Sequence, residues 1–244
     1  MATTDHEVHV WYLPLNQLPS RDLKSCYERI LTPDERERCA RFAFERDRRQ
    51  FLAGRSLLRI VLSKYAAVPP EFWQFCVNAY GKPQISSHIA TPDLRFSVTH
   101  TPDLAAVAIA IGAPVGVDAE CVSRTADWQA IAERYFAPEE WRFLMALPGE
   151  EQQAAFFRIW TLKEAFLKAL GTGLSTPLDA FRFDFPAGQS PQIHFSRALP
   201  NQSLDWRFWL VPGPANEQLA VAVEHPFGRN SELVVRLASL QFTA

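Results

Sequence analysis

The sequence predicts an α+β protein made of two similar α+β halves. Three observations carry that reading. A helix-start motif occurs twice, a long helix follows each copy, and each half closes on a pair of short strands. The motif is an apolar residue, a small residue, Pro and two acids. It appears as Leu31-Thr32-Pro33-Asp34-Glu35 and again as Phe136-Ala137-Pro138-Glu139-Glu140, the two prolines standing 105 positions apart. A Pro in the first turn of a helix forfeits no hydrogen bond, and carboxylates there favour the positive end of the helix dipole. One such match would mean nothing. Two in the same order of strand, helix start, long helix and hairpin argue for duplication.

The elements follow in chain order. Val8 to Leu15 (VHVWYLPL) opens with apolar alternation and reads as a strand. After Pro33 the first long helix runs roughly from Asp47 to Tyr65. Phe96–His100 and Ala106–Ala110 flank Thr101-Pro102-Asp103 and read as a hairpin. Gly112 to Pro114 marks the boundary, giving halves 1–112 and 113–244. Val115 to Val122 is again strand-like. After Pro138 a second long helix spans roughly Glu151 to Leu170 and stops at Gly171 and Gly173. The stretch 187–203 is polar and reads as a loop. Trp206–Val211 and Leu219–Val223 form a second hairpin around Pro212-Gly213-Pro214.

Composition bounds the function. Of 244 residues, 48% are hydrophobic and 21% charged, which excludes a wholly disordered chain. A net charge of −2 argues against a protein built mainly to coat nucleic acid or an anionic membrane. The N-terminus is acidic where a signal peptide is basic. The best apolar stretch, Leu104 to Val117, is broken by Gly112, Pro114 and Gly116. A cytoplasmic location is expected. Cys26, Cys39, Cys76 and Cys121 form no CxxC pair, so they read as reduced and mostly buried thiols.

Five features carry chemistry. Arg36, Arg38, Arg41, Arg46, Arg48, Arg49, Arg55 and Arg59 supply eight of the 25 basic residues within a tenth of the chain. Guanidinium forks grip phosphate oxygens, although such a run on a helix also reads as a solvated face paired with Glu37, Glu45 and Asp47. Gly81-Lys82-Pro83 presents a lysine in a tight turn, suited to phosphate or carboxylate. Thr99-His100 ends a strand, a common position for site residues. Asp118 and Glu120 in GVDAE alternate onto one side of a strand, with Val117 and Ala119 turned to the core. Paired carboxylates repel unless a cation compensates, and hard oxygens suit Mg²⁺ or Mn²⁺. Glu164 and Lys168 in WTLKEAFLK share a helix face, either as a surface ion pair or as a metal carboxylate with a phosphate partner.

The order of these pieces resembles the Sfp-type 4'-phosphopantetheinyl transferases. That family carries a G(I/V)DxE motif, a WxxKExxxK motif some forty residues later, and GKP and FxxSH upstream. Here Asp118 and Glu164 are 46 residues apart. The resemblance implies a pseudo-dimer of two α+β halves with the active site in the cleft between them. It implies an enzyme that moves the 4'-phosphopantetheine arm of coenzyme A to a serine of an apo acyl or peptidyl carrier protein and releases 3',5'-ADP. Asp118, Glu120 and Glu164 match the metal-binding carboxylates, and Asp118 also falls on the coenzyme A side. Lys168 matches the lysine at the scissile diphosphate, and Lys82 and Pro83 match the loop beside the nucleotide. Thr99 and His100 match a Ser-His pair, with His100 on a phosphate and Thr standing for Ser. Arg36, Arg38, Arg41 and Arg49 are further phosphate candidates. The serine proton would pass to Glu164 or to a metal-held water. A monomer with an internal pseudo-twofold is expected, with neither nucleic acid nor membrane as partner. The competing readings are a Mg²⁺-dependent phosphohydrolase and a non-catalytic coenzyme A-binding protein.

Overall fold

Buried apolar side chains gather in two separate α+β units. The structure is a computed structural model, and it describes residues 7–16, 30–123, 127–196, 199, 205–214 and 216–224, with the backbone of 234–239. Unit 1 draws on Met1–Val77, Pro83–Gly112 and Glu232–Ala244; unit 2 draws on Asn78–Lys82 and Ala113–Ser231.

Unit 1 opens with β1 (Glu7–Pro14), then α1 (Pro33–Ala40) and α2 (Glu45–Leu62). The first helix start behaves as the motif demands. Thr32 Oγ1 accepts from Glu35 N at 3.3 Å, and Glu35 Oε2 accepts from Thr32 N at 3.1 Å, a reciprocal cap. The helix α2 carries Leu52, Leu57, Leu58, Val61 and Leu62 into the core at helical spacing. It ends at Leu62, capped by Ser63, earlier than the expected Tyr65. Short strands β2 (Phe75–Val77) and β3 (Pro83–Ile85) pair with each other. The hairpin β4 (Leu94–His100) and β5 (Leu104–Ile111) and a late strand β11 (Val234–Ser239) complete the sheet, whose order is β11-β1-β5-β4. Its pairs are antiparallel except β1 with β11 (Val234–Ser239), which run parallel.

Unit 2 begins with β6 (Val115–Cys121), followed by α3 (Trp128–Tyr135), α4 (Pro138–Ala146) and the 22-residue α5 (Gly149–Leu170). The strands β7 (Phe181–Asp184) and β8 (Gln192–Phe195) pair, and β9 (Trp206–Pro212) and β10 (Glu217–Glu224) join β6 in the order β6-β10-β9. The order β1-β5-β4 of unit 1 therefore recurs as β6-β10-β9. Both run first strand, last strand of the hairpin, first strand of the hairpin.

Two expectations are corrected. The stretch 187–203 is not one loop: β8 lies inside it, with Ile193 and Phe195 turned inward while Gln192 and His194 are exposed. Four residues of alternation are enough for a strand once β7 offers a partner. The thiols are not mostly buried either. Cys39 is buried, Cys121 is half-buried and Cys76 is exposed, while Cys26 lies outside the described residues. Among the described residues no helix is long and apolar enough to cross a membrane.

The close approach of α5 to β6 depends on Gly116. A Cβ there would stand 1.9 Å from the Ala165 carbonyl oxygen and 2.6 Å from Ala169 N. Both are backbone atoms of α5, so helix and strand would have to separate. Gly116→Ala is expected to lower stability by about 1–3 kcal/mol or more, the usual range for overpacking. Chemical denaturation measures it, and an unchanged midpoint would contradict this packing.

Candidate active site

The chemistry of unit 2 sits on the seam that Gly116 opens. Residues 116, 118 and 120 share one face of β6, and the Gly116 contacts show that this face meets α5. Val117 and Ala119 are buried, as the alternation implies, and the carboxylate face is covered as well, because a helix lies over it. Asp118 is only 6% exposed.

Along α5, Trp160, Glu164 and Lys168 stand at successive four-residue steps and so project from one side. Two of them bond a β6 carboxylate. Lys168 Nζ donates to Asp118 Oδ1 at 2.7 Å, and Trp160 Nε1 donates to Glu120 Oε1 at 3.2 Å. Glu164 lies between them. Burial raises its pKa above the ordinary carboxylate value; Asp118 raises it further, Lys168 lowers it, and Glu120 raises it. The anionic form is thus held at a disadvantage that a cation would relieve.

The donor set fits a hard divalent ion in kind: three carboxylates, two on a strand and one on the helix packed against it. Among the described residues, no three His, Cys, Asp or Glu groups are already gathered as a metal cage.

The loop 78–82 secures the far end of α5. Gly171 ends the helix in the left-handed region at φ 72°. Asn78 Nδ2 donates to Gly171 O at 2.8 Å, and Lys82 Nζ donates to Ala169 O at 2.9 Å and Val115 O at 3.3 Å. A lysine on the last carbonyls of a helix complements its negative end. Lys82 therefore ties α5 to the start of β6.

A second helix contact comes from the other side of α5. Lys163 Nζ meets Glu140 Oε2 at 2.8 Å and donates to Leu178 O at 2.7 Å and Phe181 O at 2.6 Å. Glu140 also accepts from Phe183 N at 2.9 Å and from Ala137 N at 3.1 Å. Both side chains are buried. Burial pushes Glu140 up and Lys163 down, and each partner's charge pulls the other back toward ionisation. The pair was not singled out from the sequence. Its signal was present only in part, as the second acid of the repeated helix start.

In unit 1, Arg38, Phe42, Phe51, Arg55, Pro83 and His100 line a cavity of about 480 Å³, with Asp47, Gln50, Gly54 and Val98 completing its wall. Of the residues expected there, the structure brings together Arg38, Pro83 and His100. Thr99 is on the opposite side of β4 from His100 and is buried. Arg41 pairs with Glu37 at the surface, and Arg49 donates to the Leu15 carbonyl at the end of β1. Arg36 and Arg41 do not line the cavity. Arg55 does, and the sequence reading had placed it only in the general cluster. The spacing of Phe51, Arg55 and Arg59, four residues apart each time, was the signal that marks one helix face.

Comparison with known proteins agrees with the motif order. Residues 114–224 match the family model of the 4'-phosphopantetheinyl transferase superfamily, and residues 18–111 match that of the 4'-phosphopantetheinyl transferase N-terminal region. The 4'-phosphopantetheinyl transferase HetI of Nostoc sp. is 40% identical over 69% of this chain and 70% of its own. A Bacillus subtilis 4'-phosphopantetheinyl transferase is 36% identical over 80% of this chain and 83% of its own. Likeness to solved structures is shallower. A holo-[acyl-carrier-protein] synthase from Neisseria meningitidis covers 46% of this chain and 97% of its own at TM-score 0.40 and 22% identity, too low to carry an argument.

Proposed function

We propose a reaction on one premise: this chain belongs to the 4'-phosphopantetheinyl transferase superfamily. It transfers the 4'-phosphopantetheine arm of coenzyme A to a serine hydroxyl of an apo acyl or peptidyl carrier protein, with 3',5'-ADP as the other product. The observation that supports this reading most is the ladder of Asp118, Glu120, Glu164 and Lys168 on the β6–α5 seam.

Asp118, Glu120 and Glu164 would hold Mg²⁺. When bound, the ion supplies positive charge against the diphosphate oxygens and improves the leaving group. Lys168 pairs with Asp118 in the structure and would meet negative charge as the P–O bond breaks. The serine proton passes to Glu164 or to a water beside it. Trp160 keeps Glu120 oriented. In unit 1, Arg38 and His100 supply cationic or hydrogen-bonding contacts to phosphate, and Pro83 fixes the strand edge beside them. We place the enzyme in the cytoplasm.

The test is direct. Incubation with coenzyme A, Mg²⁺ and an apo carrier protein should raise the carrier's mass by one phosphopantetheine arm. Cleavage of coenzyme A with no mass gain would instead identify a hydrolase, and binding without cleavage a coenzyme A-binding protein.

A further inference from the structure

The last turn of a helix is a poor place to hold a side chain still, and Lys168 stands there, two residues before α5 ends at Leu170. Helix ends fray, and their last four carbonyls have no partner within the helix. Here the loop 78–82, which belongs to unit 2, supplies partners. Gly171 N covers Leu167 O at 2.8 Å, as a helix cap does. Lys82 Nζ then covers Ala169 O, and Asn78 Nδ2 covers the carbonyl of Gly171 itself. The loop is braced by its own bonds. Asn78 Oδ1 accepts from Tyr80 N and Lys82 N at 2.9 Å each, Asn78 N donates to Lys82 O at 2.9 Å, and Gly81 turns the chain at φ 87°. It is packed on the helix end as well: a Cβ at Gly171 would stand 2.8 Å from Lys82 Cδ and 3.0 Å from Asn78 Nδ2.

Lys82 reaches both sides of the seam. Its ammonium holds Ala169 O, the residue after Lys168, and Val115 O, three residues before Asp118 on β6. Lys168 and Asp118 meet at 2.7 Å between those two points. One ammonium therefore joins the two backbones whose side chains form the last rung of the ladder. The opposite end of the seam is tied in the same manner, by Gln153 Nε2 donating to Val122 O at 3.0 Å.

We propose that Lys82, braced by Asn78, is a positioning residue for the transfer step: it holds the last turn of α5 against β6 and so keeps the Lys168 ammonium aimed at the breaking P–O bond. The inference rests on the transferase reading. It gives the Lys82 ammonium a role through Lys168, in place of the contact with the nucleotide that its motif implies. The two roles differ in what they change. A nucleotide contact acts on binding, whereas a positioning residue acts on turnover.

The experiment is a double-variant cycle on transfer, with Lys82→Met, Lys168→Gln and the two combined. Met keeps the packed stem of Lys82 and removes its donors; Gln keeps a donor for Asp118. A misplacement of about 1 Å can cost a hundredfold, so Lys82→Met should lower kcat by about tenfold to a hundredfold with KM for coenzyme A unchanged. In the Lys168→Gln background the same substitution should barely change kcat, because the group it positions is gone. An equal fall in both backgrounds leaves Lys82 a purely structural role and overturns the proposal. A rise in KM, or a loss of 3',5'-ADP affinity by calorimetry, marks a nucleotide contact and overturns it too. Asn78→Ala, which removes the brace and the bond to Gly171 O, should show the same fall in kcat at constant KM; wild-type turnover in it would count against the loop. Amide exchange gives a readout independent of turnover. The Gly171 amide should exchange about tenfold faster in Lys82→Met, the size expected for one lost hydrogen bond. If wild type moves no arm, the transferase reading itself fails; exchange at Gly171 then still judges the hold on α5, and an unchanged rate refutes it.

Discussion

Asp118→Asn is expected to lose transfer by about a thousandfold while the protein stays folded. The size follows from removing one fixed charge that acts where negative charge develops, which costs a hundredfold to a thousandfold in comparable sites. The fold should survive because the amide keeps the volume of Asp118 and can still accept from Lys168, whose side chain is 31% exposed and can also turn to water. Transfer of a labelled arm to an apo carrier measures the loss, and circular dichroism checks the fold. Wild-type activity in this variant would remove Asp118 from the metal site.

Lys163→Met is expected to destabilise the protein by about 3–5 kcal/mol, the range found when one partner of a buried ion pair is removed. The lost ammonium satisfies Glu140 and two carbonyls at once. What remains is a carboxylate in a dry place with its countercharge gone. The double variant Glu140→Gln/Lys163→Met should recover part of that loss, since no charge is then stranded. Urea denaturation reads both. A single-variant cost below about 1 kcal/mol would show that the pair contributes little. Transfer should fall as well, because Lys163 precedes Glu164 on α5 and anchors the helix from its core side.

The legible parts of this molecule were those written in local pattern. Helix starts at Pro33 and Pro138, the strand alternation of Val8–Leu15 and the Thr101–Asp103 turn all speak through neighbours in sequence. The seam residues Asp118, Glu120, Glu164 and Lys168 were legible too, because period two on β6 and period four on α5 each put them on one face. The pairing of those faces was not. Nothing local says that the acids of β6 point under a helix; the contacts of Gly116, Asp118 and Glu120 with α5 show it. Lys82 looked like a presented cation, and its work on Ala169 O needs knowledge of where α5 ends. Glu140 and Lys163 are 23 positions apart, and no periodicity couples them. Arg55 was hidden among seven other arginines until the partners of each were known.

The parallel pairing of β11 with β1 sets an order of events during synthesis. Glu7 pairs with Val234, so this edge of the first sheet stays open until almost all of the intervening chain has been made. The strands β6, β10 and β9 form a sheet of their own, and β11 belongs to unit 1, so unit 2 can acquire its core before that strand arrives. A nascent chain paused short of Val234 would expose a row of unpaired backbone groups on β1, a template for joining another chain. Among the described strands, the last to be made is thus the one that pairs with the first.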